Sequence, residues 1–190
     1  MYGPEQLIAP RPQVEDVTFK ITTTVRCFLL PDDGNAAKRA ILQHLDDPSE
    51  IYITAYSFTL VPMVDVLLAH FQAGDPVHLY LDFSQSQGRA EKPQIRRLVD
   101  AGVEVTIGTS PKGSAYISHT KGFVCLDRPP ACWEGSVNFS QTGFLQVNTA
   151  MLFNSQEWAN QFVAQFKGLR KFAWQEERDK QLMPSPPPNM

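Results

Sequence analysis

Apolar positions along the chain follow two periods, and where one gives way to the other marks the elements. The stretch VTFKITTTVRCFLL, within residues 14–30, is rich in β-branched residues and predicts a first strand. A turn at PDDGN follows, with Asp33 or Asn35 able to cap a helix in which Ala37, Ile41 and Leu45 recur every fourth position. IYITAYSF (51–58) predicts a buried strand, and a second helix starts near Pro62 and ends at Gly74. VHLYLDF (77–83) is the next strand. A helix from Pro93, with Ile95, Leu98 and Val99 inward, leads through Gly102 to the strand VEVTIG (103–108).

Alternation of strand and helix to this point predicts βαβ units. From Tyr116 the rhythm changes. Two strands, 116–127 and about 131–135, meet at RPP as a hairpin; GSVNFSQTG is a loop and VNTAMLFN (147–154) another strand. A closing helix carries the apolar stripe Trp158, Phe162, Phe166, Leu169 and Phe172 or Ala173, read as core. The expected architecture is a single α/β domain, a mixed and mostly parallel central sheet sandwiched by helices. It occupies residues 14–175, with an extension at 1–13 and a proline-rich tail or linker at 176–190.

Composition narrows the functional classes. With 190 residues, 43% of them apolar, the chain is large enough for one well-formed core. Seventeen basic against 20 acidic residues, a net charge of −3, argue against a protein that coats nucleic acid non-specifically, though not against a local positive groove. Cys27, Cys125 and Cys132 show no metal-binding spacing. Cys125 and Cys132 flank the hairpin turn, but free thiols are the favoured reading. No signal peptide is expected from the first 20 residues, and no stretch approaches the ~18 apolar residues of a membrane span. The compartment stays open, leaning to the cytoplasm, with an exported mature form as the alternative.

The chemistry concentrates in YISHTKGFVCLD (116–127). A period of two puts His119 and Lys121 on one face of a strand, where two cationic groups repel unless an anion lies between them. After the hairpin comes Gly135-Ser-Val-Asn138. Gly135 permits close backbone approach to a ligand, and Ser136 and Asn138 supply neutral donors. Imidazole, ammonium, hydroxyl and amide together suit an anion with several oxygens, above all a phosphodiester.

The ordered set HTK, Asp127, GSVN resembles the HKD signature of the phospholipase D superfamily. AYSFT (55–59), the loop DFSQSQGRA (82–90) and the strand-then-helix ending are similar to the small bacterial endonucleases of that superfamily, over about residues 30–173. The resemblance implies an α/β/α sandwich and phosphodiester cleavage through a covalent phosphohistidine, with no metal and no cofactor. One spacing departs from the pattern. Five residues separate Lys121 from Asp127 where the family has four, so a β-bulge at or beside Gly122 is expected to absorb the extra one.

That chemistry needs a nucleophilic and a protonated histidine. His44, His70 and His78 lack a lysine two positions on and read as surface or core residues. The second imidazole is therefore expected from a homodimer partner, both copies of His119 bridging one phosphate. Glu134, just before Gly135, is a candidate to orient His119 or only to bracket the loop. Asp82 ends a strand where open α/β sheets present ligand-facing residues. Lys112 and Arg89 are candidate contacts to neighbouring phosphates, with Lys92, Arg96 and Arg97 read as a path or a solvated face. The first functional reading is a nuclease acting on DNA or RNA. The second is hydrolysis of phospholipid or another small diester, for which no exposed amphipathic segment is evident; the third is a non-catalytic phosphate-binding scaffold.

Overall fold

The computed structural model describes residues 23–46, 48–112 and 116–169. The extension at 1–13, the tail at 176–190 and the expected contribution of Phe172 or Ala173 lie outside them.

The elements follow the order β1 (Arg26–Leu30), α1 (Gly34–His44), β2 (Ile51–Ala55), α2 (Val61–Ala73), β3 (Val77–Asp82), α3 (Phe83–Ser86), α4 (Lys92–Asp100), β4 (Glu104–Gly108), β5 (Lys121–Cys125), β6 (Ala131–Gly135), a 3₁₀ turn (Gly143–Leu145), β7 (Asn148–Asn154) and α5 (Gln156–Leu169). They build one seven-stranded sheet in the order β1-β7-β6-β5-β2-β3-β4. The expected mixed sheet is present, but its balance differs. Only the β2–β3 and β3–β4 pairs are parallel; β1–β7, β2–β5, β5–β6 and β6–β7 are antiparallel. Helical crossovers enforce parallel pairing only as far as β4. After that the chain turns back through short loops, and strand periodicity carries no information about direction.

Side-chain alternation explains the two layers. Ile51, Ile53 and Ala55 of β2, Leu79 and Leu81 of β3, and Phe123 and Cys125 of β5 face α1, α2 and α4, meeting Ile41, Met63, Leu67, Ile95 and Leu98. The residues between them, Tyr52, Tyr80 and Val124, face α5 and pack on Phe162 and Phe166. The α5 stripe is core, as its spacing implies. Pro sits in the first turn of α2, and Gly74 closes that helix at φ 107°, a conformation glycine adopts without strain. All three cysteines are free. Cys125 stands opposite Ala131, and Cys132 opposite Val124.

Gly122 holds no bulge. It pairs with Thr54 in an unbroken β2–β5 register from Ala55↔Lys121 to Ile51↔Cys125. Its reason is clearance, since a Cβ there would lie 2.7 Å from Glu134 Oε2. The strand is also shorter than expected, because residues 116–120 enter the sheet without belonging to its ladder. Among the described residues no helix is long and apolar enough to cross a membrane.

Candidate active site

The carboxyl ends of β2, β3 and β4 share one edge of the sheet with the start of β5 and the end of β6. Here the chain gathers its polar side chains. His119 lies just before β5 and is exposed, while Lys121, the first residue of the strand, is only 3% exposed. The Tyr56 amide donates to the Thr120 carbonyl at 2.9 Å, extending the β2–β5 pairing by one residue and fixing the height of His119. The Lys121 ammonium donates to the His119 carbonyl at 2.6 Å and lies 5.0 Å from the centre of the Tyr56 ring. The same ring meets His119 edge-on, centroids 4.6 Å apart. Tyr56 thus walls both motif residues.

The second half of the motif packs on the same segment. Phe58 and Phe139 form a parallel bridge, and the amides of Thr59 and Leu60 donate to the Phe139 carbonyl. Residues 56–60 therefore carry the HxK segment at one end and the GSVN loop at the other. Asn138 Oδ1 is buried and lacks a hydrogen-bond partner among the described residues. Ser136 is engaged: its hydroxyl donates to Asn148 Oδ1 at 2.9 Å and accepts from the Thr149 amide at 3.1 Å. It ties the loop to β7 rather than presenting a free donor. Gly135 lies so close to β7 that a Cβ would stand 2.5 Å from the Thr149 carbonyl oxygen.

Charge shapes this cluster. Desolvation, with the Lys121 ammonium beside it, holds the His119 proton affinity below the ordinary imidazole value, and Asp82 opposes that shift. Lys121 is likewise lowered by desolvation, against the pull of Glu134 and Asp82. Burial raises the Glu134 carboxyl to about 7, opposed by the Gly135 amide and Lys121. Glu134 therefore acts chiefly on Lys121. Glu91, 2% exposed, is also pushed up to about 7 by burial, against hydrogen bonds from the Phe58 backbone and the Ser57 side chain.

Other candidates fall elsewhere. Asp127 lies beyond the far end of β5, where its Oδ1 accepts from the Ser49 amide at 3.0 Å. It sits at that end, away from the cluster that holds His119 and Lys121. Arg89 is exposed in the turn between α3 and α4. Lys112 is exposed on a loop whose base is closed by the Ser110 amide donating to the Tyr116 carbonyl. Among the described residues, no hydrogen bond or ion pair joins either to His119, Lys121 or Asn138. Arg97 is paired with Asp65 at 2.6 Å, joining α4 to α2. His44 bonds the Ala40 carbonyl, His70 is buried near Asp75, and His78 sits with Glu50 and Glu104 at the opposite sheet edge.

Sequence reasoning missed two contributors. Tyr56 stood within AYSFT without a role, although an aromatic just past a strand end is a usable signal. Asp82 was placed at a strand end, but nothing linked it to residues 36 positions later; in the structure its Oδ2 accepts from the Ser118 amide at 2.7 Å. The segments that lead into β5 and β7 at this end of the sheet also expose large apolar side chains. Tyr116, Ile117, Leu145 and Val147 are 60%, 47%, 67% and 91% exposed. They lie on short irregular segments and a 3₁₀ turn, which no amphipathic periodicity reveals.

The structure is similar to the phospholipase D family member Nuc from Salmonella typhimurium, at 20% identity and a TM-score of 0.69, covering 80% of this chain and 96% of that one. It is similar to NucT from Helicobacter pylori at 16% identity and a TM-score of 0.69, over 80% and 98% of the two chains. Phosphatidylserine synthase from Haemophilus influenzae shares the fold at 13% identity and a TM-score of 0.60, over 83% of this chain but 41% of that one. No curated protein sequence matches the chain. The family model described as cardiolipin synthase, PLD-like domain, matches residues 41–170, and the chain belongs to that PLD-like domain family.

Proposed function

We propose that the protein is a metal-independent phosphodiester hydrolase, a nuclease cutting DNA or RNA through a phosphohistidine intermediate, with its site completed by a second copy of the chain. The observation that carries this reading is the pair at this end of the sheet, an exposed His119 whose proton affinity is held below the ordinary imidazole value and a buried Lys121 whose ammonium donates to the His119 carbonyl.

In the proposed reaction a neutral His119 nitrogen attacks phosphorus, a P–N bond forms, and the bond to the leaving oxygen breaks. That oxygen takes a proton from the second imidazole. Water, deprotonated by the same imidazole, then attacks phosphorus and releases His119. Lys121 and Asn138 meet the charge that builds on the non-bridging oxygens. Glu134 keeps Lys121 charged within its desolvated setting. His44, His70 and His78 lie elsewhere, so the second imidazole is assigned to the partner copy of His119. One ring protonated and one neutral is the state two coupled imidazoles favour near their common pKa.

Nucleic acid is the first choice of substrate because the match to Nuc and NucT spans nearly their whole lengths, whereas the phosphatidylserine synthase is matched over less than half. The exposed apolar rim of Tyr116, Ile117, Leu145 and Val147 favours a second reading, hydrolysis of phospholipid. Incubating the protein in excess chelator with labelled single-stranded DNA, duplex DNA, RNA and phosphatidylcholine vesicles separates these. Cleavage of a nucleic acid that His119→Ala abolishes supports the nuclease. Turnover of the vesicles alone selects the lipid reading, and binding without turnover of any substrate selects the scaffold.

A further inference from the structure

We propose that Asp82 and Tyr56 are positioning residues for His119, joined through α3 into a clasp that holds the backbone before the imidazole and one side of its ring. This inference rests on the reading of His119 as the nucleophile.

The clasp is a closed circuit of contacts. Asp82 is fully buried at the end of β3. Its Oδ1 accepts from the Ser84 amide at 2.9 Å, the Ser84 hydroxyl at 2.5 Å and the Gln85 amide at 3.4 Å. Those bonds are ordinary capping and account for one oxygen only. The other oxygen accepts from the amide of Ser118, the residue before His119, at 2.7 Å. Capping α3 does not require that bond. From α3 the Gln85 side-chain amide donates to the Tyr56 hydroxyl at 3.0 Å. The Tyr56 ring then meets His119 edge-on, and the Tyr56 amide holds Thr120 on the other side. Residues 118 and 120 are both anchored, and the exposed ring between them has one wall.

Buried carboxylates are costly unless their bonds are complete, and Asp82 makes four. Its charge also reaches the imidazole. The groups facing His119 are Lys121 from β5, Asp82 from β3 and Tyr56 just past β2, with Glu134 of β6 behind Lys121 and Glu91, ahead of α4, behind Asp82. Lys121 favours the neutral ring and Asp82 the protonated one. In a reaction where one imidazole attacks and another gives up a proton, that balance matters to both roles.

The test follows His119 directly. In the intact protein, its ring is titrated by histidine-selective NMR, with the signal assigned by its loss in His119→Asn. Asp82→Asn keeps an oxygen for the Ser118 amide but removes the charge, so the His119 midpoint moves to lower pH. Asp82→Ala, which removes the acceptor for Ser118 as well, lowers kcat about 10- to 100-fold with KM little changed, the scale expected when a reacting group is misplaced. Tyr56→Leu lowers kcat by a similar factor, and Tyr56→Phe, which keeps the ring but loses the Gln85 bond, recovers only part of the loss. A folded Asp82→Asn with an unmoved His119 midpoint overturns the proposal. If Asp82→Asn does not fold, Tyr56→Leu decides alone, and parental kcat there overturns the clasp. A protein that cleaves no phosphodiester while its His119 midpoint still moves would refute the functional reading and leave the clasp standing.

Discussion

Gly122→Ala probes how closely the sheet is fitted to the site. The added Cβ would lie 2.7 Å from Glu134 Oε2, 3.0 Å from Phe162 Cε2 and 3.0 Å from the Trp133 carbonyl oxygen. Ordinary contact begins at 3.4 Å, so the carboxylate must retreat by about 0.7 Å and the Phe162 ring by about 0.4 Å. The Trp133 carbonyl belongs to a paired strand and yields least. Overpacking of this kind costs about 1–3 kcal/mol, and replacing a strand glycine by alanine returns about 0.5–1 kcal/mol through the unfolded chain. A net loss of about 1–2 kcal/mol is expected in urea unfolding. Tryptophan fluorescence is a suitable probe, because Trp133 is buried between Phe28 and Phe123. Adding Glu134→Ala removes the tightest contact, so the two changes should be non-additive by about 0.5–1 kcal/mol. Full additivity, or a Gly122→Ala variant as stable as the parent, would refute clearance for Glu134 as the reason for this glycine.

Further outcomes concern charge and the motif. Glu91 rises from 4.5 to about 7 on folding, so the folded state binds the extra proton between those values and stability falls as pH climbs through that window. Glu91→Gln should reduce that loss by about 3 kcal/mol at most, measured as unfolding free energy at pH 5 and pH 8; an unchanged difference would contradict the shift. Lys121→Ala should lower the cleavage rate on the order of 10²-fold or more, and a near-parental rate would make Lys121 structural. Asp127→Ala should leave kcat at the parental value while costing about 1 kcal/mol of stability through the lost Ser49 bond, whereas a large rate loss would return Asp127 to the site.

Local signals were legible in the sequence and long-range ones were not. Pro62 and Gly74 bracket α2 because their chemistry is local, and the α5 stripe declares its buried face by spacing alone. His119, Lys121 and Asn138 stood out because cationic and amide groups in an otherwise apolar stretch demand a reason. Strand direction after β4 had no such signal. The single extra residue before Asp127 suggested a bulge, yet the pairing through Gly122 is unbroken, and the glycine makes room for a neighbour's side chain instead. Ser136 looked like a ligand donor, but its partners, Asn148 and Thr149, come from the adjoining strand. Asp82 and Ser118 are far apart in sequence, and a buried carboxylate holding a remote amide leaves no periodic trace.

The shared site is tested most directly by subunit mixing. Parent protein and His119→Ala are combined at varied ratios, allowed to exchange subunits, and assayed for phosphodiester cleavage at constant total concentration. If each phosphate is held between two copies of His119, mixed dimers are inactive and activity falls as the square of the parental fraction. A linear fall would show that each chain works alone and would contradict the account.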